Sequence, residues 1–323
     1  MIITQSMLKA WRFCHANFDF KYNQKLKPKV EKIQLKRGTI LHEMLDARAN
    51  QEDPFKKLEV YEKKHRQILR EEAEYYGDLI GDCRRIFENY LRTYEDEELT
   101  YMSSEVKMGH PIAGLHIVYE GTLDKIVRDK KGNLWLMDHK THKKIPDADH
   151  RFADLQLVMY AWLYNSVKQV PLTGIIWDYI RAKPPAIPEQ LKNGQLSQRA
   201  NIDTDYETYL AEIGRLDLNP KDYTEILSQL KQKKNTFFDR VILPIASISR
   251  MESIVEDARK DAQVIAELSP VLKTKNLNWQ CPSCAYFRIC QAELNGADAE
   301  FIKKAHYVKE VTINADEERD IED

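Results

Sequence analysis

Two aspartates and one lysine follow apolar runs near the middle of the chain. The stretch GTLD ends at Asp124, and LWLMDHKTHKK, residues 134–144, contains Asp138 and Lys140. Because side chains alternate along a strand, Asp138 and Lys140 should point to the same face. A turn at Lys131-Gly132 would pair the two strands and place Asp124 opposite Asp138 or a neighbour of Asp138. The spacing therefore predicts two carboxylates and one ammonium group at one edge of a sheet.

This arrangement would suit chemistry on a phosphate. Two neighbouring carboxylates repel each other unless a proton or a cation neutralises them. Mg²⁺ binds one or two carboxylates and keeps water molecules and positions for a substrate phosphate. Lys140 would then face the charge that develops on a phosphate under attack. The alternative interpretation is a simple salt bridge between Asp138 and Lys140 at the end of a strand.

The surrounding pattern predicts the elements that position these residues. Apolar and breaker residues predict helices before the sheet, then a three-stranded antiparallel meander, then an amphipathic helix and a fourth strand. The predicted ranges are a helix at 6–22, a helix that begins near Gly38, a helical region at 55–98 with weak breaks at Gly77 and Gly81, strands between 101 and 142, a helix at 152–167 and a strand at 173–182. Farther along, we predict a strand at 237–244 and a helix at 247–268.

The order of these elements and four short motifs resemble the PD-(D/E)XK nuclease superfamily, particularly its RecB-like branch. The motifs are GTLD and DHK, a G-x-x-x-H pattern at Gly38–His42 (GTILH), and a Q-x-x-x-Y pattern at Gln156–Tyr160 (QLVMY). The resemblance implies an α/β (α+β) fold with a restriction-endonuclease-like core, in which a mixed sheet is flanked by helices. It also implies a helical N-terminal region and a C-terminal iron-sulfur staple.

By the same resemblance, several residues acquire roles as metal ligands. His42, Asp124 and Asp138 would bind Mg²⁺ or Mn²⁺, and the backbone carbonyl of His139 would add a further ligand. We assign no catalytic role to the side chain of His139. Glu105, on the first strand of the meander, is either an outer contributor to this site or an ordinary exposed glutamate.

The remaining motif residues would act around the lysine. Lys140 would position or activate the attacking water. Gln156 and Tyr160 are four residues apart and so lie on one face of their helix, from which they could hold Lys140 or a phosphate.

Three of the five cysteines form a cluster, Cys281-x2-Cys284-x5-Cys290. In a reducing compartment such clustering favours metal binding over disulfides. The residues alone leave the fourth ligand open among Cys14, Cys83 and a histidine, and four thiolates suit either Zn²⁺ or an iron-sulfur cluster. The resemblance extends to RecB-like nucleases of the AddB type and to CRISPR-associated exonucleases, and it implies a [4Fe-4S] cluster on Cys14, Cys281, Cys284 and Cys290. Cys83 would be a buried small hydrophobic residue.

Composition excludes few classes of function. The chain has 323 residues, 43% of them hydrophobic, with 49 Lys or Arg against 51 Asp or Glu. We expect no membrane association and a cytoplasmic location in a bacterial, archaeal or phage-infected cell. Residues 21–37 carry seven basic residues against one acid, and the segment 315–323 carries six acids against one arginine. The basic run, with Lys143, Lys144 and Arg151, would guide a phosphate backbone, or the run is an ordinary exposed face.

The predicted function is a metal-dependent deoxyribonuclease, an exonuclease that acts on single-stranded DNA or free DNA ends in recombination, repair or phage DNA processing. One alternative is a non-cleaving iron-sulfur protein that binds DNA ends as a scaffold. Another is the nuclease subunit of a helicase-nuclease complex or a recombination assembly. Because the chain carries no G-x-x-x-x-G-K-[ST] motif for ATP, a partner would have to supply any ATP-driven unwinding.

The chain is expected to form a single nuclease domain with elaborations. The expected parts are a mainly helical region at 1–100, the nuclease core at 101–180, an insertion of unknown role at 181–250, a helix and cysteine segment at 251–296, and a tail at 297–323.

Overall fold

The computed structural model describes residues 1–95, 97–112, 114–147, 154–245 and 248–310. These residues form two compact units. The terminal unit comprises Met1–Glu31, Gly109–Gly121 and the chain from Glu252, and the central unit comprises Lys32–Met108 and Thr122–Met251. The domain boundaries expected from the sequence remain a prediction.

The described elements are as follows. The helices are α1 (Gln5–Phe13), α2 (His15–Phe18), α3 (Ile33–Ala49), α4 (Pro54–His65), α5 (Arg70–Tyr76), α6 (Leu79–Thr93), α7 (Gln156–Lys168), α8 (Tyr206–Arg215), α9 (Thr224–Gln232), α10 (Ile248–Leu268), α11 (Phe287–Leu294) and α12 (Ala299–His306). The strands are β1 (Ile2–Thr4), β2 (Leu26–Pro28), β3 (Thr100–Pro111), β4 (Val118–Arg128), β5 (Leu134–His142), β6 (Gly174–Arg181), β7 (Phe238–Pro244) and β8 (Tyr307–Lys309). Short π and 3-10 turns lie at Asp19–Asn23, Pro220–Tyr223 and Cys281–Ser283.

A mixed sheet forms the middle of the central unit. Its strands lie in the order β4, β5, β6 and β7, and β3 pairs with β4. The pairs β4 with β5 and β6 with β7 are antiparallel, whereas β5 and β6 run parallel. Helix α3 contacts β5, and α7 contacts both β5 and β6. The predicted fold class, a mixed sheet flanked by helices, is thus confirmed.

Apolar side chains from the early helices cover one side of this sheet. Ile40, Leu41, Met44 and Leu45 of α3 are buried with residues of α4, α5 and α6 and with Phe238 of β7. Helix α4 begins at a favourable N-cap, because the Asp53 side chain accepts a hydrogen bond from the backbone N–H two residues later. The helical region predicted at 55–98 therefore divides into three helices around one core.

Two glycines behave differently from each other in this region. Gly77 ends α5 with a φ of +54°, which suits glycine, whereas Gly81, predicted as a break, lies inside α6. At the start of β6, a β-carbon on Gly174 would lie 2.4 Å from the carbonyl oxygen of Leu243. Only glycine permits that close approach of β6 to β7.

The polar region predicted as an insertion contains helices of its own. Buried residues of α8 and α9, including Tyr209, Ile213 and Ile226, form a separate small core. The same region supplies β7, as the sequence predicts for residues 237–244. The helix predicted at 152–167 begins at Gln156, and residues 152 and 153 lie outside the described residues.

The terminal unit brings distant parts of the chain together. Strand β1 pairs in parallel with the first residues of β4, and β2 pairs antiparallel with β8. Among the aromatic residues near the start of the chain, Trp11 and Phe18 are buried, whereas Phe13 and Tyr22 are partly exposed. No helix among the described residues is long and apolar enough to cross a membrane.

Candidate active site

The β4–β5 hairpin sets the first two acidic residues at one level of the sheet. Lys125 lies opposite Met137, and the next position of this register would place Asp124 opposite Asp138. Oδ2 of Asp124 accepts a hydrogen bond of 3.1 Å from the backbone N–H of His139. The expected proximity of Asp124 to this part of β5 is therefore present.

Two further side chains reach Asp124 from other elements. His42 lies on α3 beside the buried residues Ile40 and Leu41, and its Nδ1 is 3.4 Å from Oδ2 of Asp124. Glu105 lies on β3, where its positive φ of +49° is unusual for a strand residue. One ligand atom from each of His42, Glu105 and Asp124 lies within 4.8 Å of the other two. Glu105, which the sequence leaves between two roles, thus belongs to the acidic cluster.

Burial and neighbouring charges shift the pKa values of His42 and Glu105. Burial lowers the pKa of His42, and the nearby His139, Lys140 and Lys125 act in the same direction against the opposing charge of Asp124. A neutral imidazole retains a lone pair for a metal. Burial and the charge of Asp124 raise the pKa of Glu105, which is the response of a carboxylate near another negative charge.

Asp138 and Lys140 form a close pair on β5. Nζ of Lys140 is 2.7 Å from Oδ2 of Asp138. Asp138 is buried, with 1% of its surface exposed. Burial raises the pKa of Asp138 to about 7, and Asp124 adds to this effect while Lys140 opposes it. Burial alone would lower the pKa of Lys140, but the charge of Asp138 and its hydrogen bond raise the pKa above its usual value. Lys140 is therefore held as a cation.

Helix α7 supplies two more of the predicted residues. Oε1 of Gln156 accepts a hydrogen bond of 3.1 Å from Nζ of Lys140. Tyr160, one turn later, interacts with Gln156, and burial followed by the charge of Asp138 raises the pKa of its hydroxyl to about 12. Tyr160, Gln156, Lys140 and Asp138 thus form a continuous polar chain.

A buried lysine next to Asp124 was not identified from the sequence. Lys125 is 1% exposed, and its Nζ lies 3.3 Å from Oδ1 of Asp46 and 3.9 Å from Oε1 of Glu105. Ser104 hydrogen-bonds to both Lys125 and Asp46. These contacts hold the side chain of Glu105 beside a fixed positive charge. The sequence feature that could have indicated this buried lysine is its position inside the apolar run of β4.

The side chain of His139 also has a place that the sequence did not indicate. His139, Asp178 and Arg240 lie side by side on β5, β6 and β7. Nδ1 of His139 is 2.9 Å from Oδ2 of Asp178. The hydroxyl of Tyr90 donates a hydrogen bond to the same oxygen, and Nε of Arg240 lies 3.2 Å from Oδ1 of Asp178. Burial would raise the pKa of Asp178, but these partners hold it at about 2.

The basic residues predicted to guide a phosphate backbone have different surroundings in the structure. Lys143 and Lys144 are exposed just after β5, and Arg151 lies outside the described residues. Arg37, at the end of the basic run, forms an ion pair of 2.9 Å with Asp82, and Lys36 lies 3.9 Å from the ring centroid of Tyr76. These two cations already have partners within the central unit.

The four predicted cysteine ligands lie in the terminal unit around one small cavity of about 20 Å³. Its lining includes Cys14, Cys281, Cys284 and Cys290. Backbone N–H groups approach three of the sulfurs, from Asn276 to Cys14 at 3.4 Å, from Asn278 to Cys281 at 3.3 Å and from Tyr286 to Cys284 at 3.5 Å. Cys83 is fully buried in the central unit, as predicted, and burial raises its pKa to about 12.

Comparison with known proteins identifies the family. The family model of the PD-(D/E)XK nuclease superfamily matches residues 2–291. No curated protein matches the chain. A solved structure titled "Crystal structure of SSO0001" is 16% identical, covers 79% of this chain and 84% of that chain, and has a TM-score of 0.31, a likeness too low to support an argument. The match over most of the sequence places the chain in the PD-(D/E)XK nuclease superfamily, whose members are in general metal-dependent nucleases.

Proposed function

We propose that this protein is a Mg²⁺- or Mn²⁺-dependent deoxyribonuclease of the RecB-like branch that degrades DNA from free ends. The observation that carries the proposal is the convergence of His42, Asp124 and Glu105 beside the hairpin that bears the Asp138–Lys140 pair. The family membership supports a nuclease in general. The preference for DNA and for ends is part of our proposal.

The donor atoms fit a hard divalent cation. His42, Asp124 and Asp138, with the backbone carbonyl of His139, would hold the cation, and the proximity of Glu105 to His42 and Asp124 adds a third carboxylate. Carboxylate oxygens, one imidazole and retained waters are suitable ligands for Mg²⁺ or Mn²⁺. When bound, the cation would polarise the scissile phosphate and favour attack by water.

Lys140 would stabilise charge and would not act as a base. Its raised pKa keeps the ammonium group protonated at neutral pH. Gln156 accepts a hydrogen bond from this group and Asp138 forms an ion pair with it, so the ammonium group is held in a fixed position. A fixed cation is most useful where negative charge increases on the phosphate in the transition state. Tyr160 would support Gln156 and thereby the orientation of Lys140.

We further propose that Cys14, Cys281, Cys284 and Cys290 bind a [4Fe-4S] cluster. All four thiols line one cavity, and N–H groups that approach the sulfurs are the kind of contact that stabilises cluster thiolates. Zn²⁺ is the alternative occupant, because four thiolates also suit this ion. The cluster would join the beginning of the chain to the segment that follows α10.

The experiment compares end-labelled single-stranded DNA, linear duplex DNA and covalently closed circular DNA. Anaerobically purified protein is incubated with each substrate in Mn²⁺, Mg²⁺ or EDTA, next to the variant Lys140→Ala. We expect cation-dependent degradation of the linear substrates only, and no degradation by the variant. Cleavage of the closed circle would contradict the requirement for ends. Binding without cleavage in every condition would favour the scaffold alternative, and activity that appears only with an added helicase would favour the subunit alternative.

A further inference from the structure

The terminal unit carries a short β-ribbon that is fixed on one face and exposed on the other. In this ribbon Leu26 lies opposite Lys309 and Pro28 lies opposite Tyr307. Leu26 and Tyr307 are each 6% exposed, and they belong to the hydrophobic cluster against which Cys14, Cys284 and Cys290 pack. The hydroxyl of Tyr286 donates to the carbonyl of Leu26 over 2.7 Å. The inner face is therefore anchored at the cysteine cavity.

The outer side of the ribbon is basic. Lys27 and Lys29 alternate with the inward residues of β2 and are exposed. Nζ of Lys29 donates to the carbonyl of Lys304 over 2.8 Å, and Lys304 is also exposed. The guanidinium of Arg288 lies 3.4 Å from the ring of His306, whose carbonyl accepts from the Lys29 N–H. We call Lys27, Lys29, Arg288 and Lys304 the ribbon cations.

The ribbon cations differ from other cations of this unit in their carboxylate partners. The described ion pairs of the terminal unit involve other residues and include Arg12 with Asp261, Lys273 with Asp19, Lys275 with Glu293, and Lys303 with Glu300. Among the described residues, no carboxylate lies within ion-pair distance of Lys27, Lys29 or Lys304. Of the two acids at the start of α12, Asp298 caps the helix and Glu300 pairs with Lys303.

The basic run of the sequence thus separates into two parts with different surroundings. Arg37 pairs with Asp82 and Lys36 packs on Tyr76, both within the central unit. Lys27 and Lys29 are exposed on the outer side of the ribbon, and the fold adds Arg288 and Lys304 from more than 250 positions later in the chain. Neither segment of the chain alone has the charge density that the two segments produce together.

We propose that the ribbon cations bind the phosphodiester backbone of the nucleic acid substrate. The inference rests on the proposed nuclease function for the identity of the polyanion. A row of cations without carboxylate partners binds phosphates by releasing counterions, so binding is independent of base sequence and decreases as salt increases. An anchored ribbon also presents these charges without the ordering of a mobile loop.

The test measures how DNA binding depends on salt. A fluorescein-labelled single-stranded oligonucleotide is titrated with the full chain in EDTA, at several KCl concentrations. The variant Lys27→Gln/Lys29→Gln/Lys304→Gln should reduce the slope of log K against log [KCl] by about 2, at roughly 0.7 for each phosphate that is no longer neutralised. Its affinity at about 0.1 M KCl should fall at least about tenfold by the same relation. Because the variant removes no ion pair and only one exposed hydrogen bond, from Lys29 to the carbonyl of Lys304, the thermal midpoint should change little.

A matched variant makes the same change of charge elsewhere. Lys56, Lys63 and Lys64 are exposed on α4, and their replacement by Gln should leave the slope unchanged. An unchanged slope in the ribbon variant, or an equal loss in the α4 variant, would overturn the proposal. Cleavage assays are a separate readout: a protein that never cleaves but shows the ribbon-dependent slope loses only the proposed nuclease function.

Discussion

Nδ1 of His139 lies 2.9 Å from Oδ2 of Asp178, and the two residues are 1% and 0% exposed. His139 stands between Asp138 and Lys140 in sequence, yet its side chain belongs to a different group of contacts. It joins a buried network that continues through Tyr90 and Arg240. The strand therefore combines the candidate catalytic residues with an internal charge network in three consecutive positions.

The variant Asp178→Asn should destabilise the protein strongly. Arg240 would lose a buried carboxylate partner, and loss of one partner of a buried ion pair costs about 3–5 kcal/mol. Because Arg240 keeps its 2.7 Å contact with Glu97, we expect a decrease near the lower end, about 3 kcal/mol, in the free energy of unfolding. Urea denaturation measures it. Asp203→Asn, which removes a more exposed pair with Arg181, should cost less than about 1 kcal/mol.

The same carboxylate should contribute to acid unfolding. The pKa of Asp178 is about 2 in the folded protein, below its value of about 3.9 in an unfolded chain. Its stabilising contribution is therefore present above about pH 4 and disappears as the pH falls toward 2. The difference in unfolding free energy between wild type and Asp178→Asn should shrink by about 2–3 kcal/mol over this interval. A constant difference would show that folding does not lower the pKa of Asp178.

Replacement of Gln156 should affect the chemical step. In Gln156→Leu, Lys140 loses its acceptor at 3.1 Å, and misplacement of a group near the reacting atoms can cost about 100-fold in rate. We expect the single-turnover rate to fall about 10- to 100-fold at saturating Mn²⁺. Lys168→Gln, at the exposed end of α7, should keep the wild-type rate. An equal effect of both variants would assign the loss to the helix and not to Lys140.

Glu105→Gln should weaken cation binding. It removes one negative charge from the group formed with His42 and Asp124, and we expect the Mn²⁺ dissociation constant to rise about tenfold or more. Electron paramagnetic resonance of free Mn²⁺ measures this constant without any activity assay. Glu98→Gln removes an exposed carboxylate that pairs with Lys130 and should leave it unchanged. Equal affinity in wild type and Glu105→Gln would remove Glu105 from the metal site.

Two cysteine variants test the proposed cluster. Cys14→Ala removes one of the four thiols that line the cavity, so we expect loss of bound iron and acid-labile sulfide together with reduced solubility. Cys83→Ala changes a thiol that is buried in the central unit and should retain both. Iron analysis and visible absorbance distinguish the variants. Full iron content in Cys14→Ala would refute its role as a ligand, and zinc in place of iron in the wild type would support the alternative metal.

Local sequence patterns accounted for much of the sheet and for part of the site. Alternation along β5 predicted that Asp138 and Lys140 share a face. In the structure Nζ of Lys140 lies 2.7 Å from Oδ2 of Asp138. The turn at Lys131-Gly132 predicted the hairpin register. The observed pair of Lys125 with Met137 lies one position from Asp124 and has this register. These relationships depend on residues close in sequence, where strand geometry leaves few alternatives.

The remaining contacts depend on pairings that no local pattern fixes. Arg240 meets Asp178 only because β6 and β7 adopt one register over a separation of more than 60 residues. Glu105 reaches His42 from a backbone conformation with positive φ, which glutamate rarely adopts and which sequence therefore does not indicate. The aspartate within the apolar run IIWDYIR was a usable sign of a buried charge, although its partner was not evident.

The burial of Asp138 links ion concentration to heat resistance. An acid whose pKa is raised to about 7 is less stable as an anion in the folded chain than in water, so at neutral pH this site decreases the stability of the cation-free protein. A divalent cation that binds only the folded state would reverse this loss and stabilise the protein further as its concentration increases. The melting temperature should therefore rise with Mg²⁺ or Mn²⁺ even when no DNA is present, and the protein would be most vulnerable to unfolding and proteolysis when divalent cations are scarce.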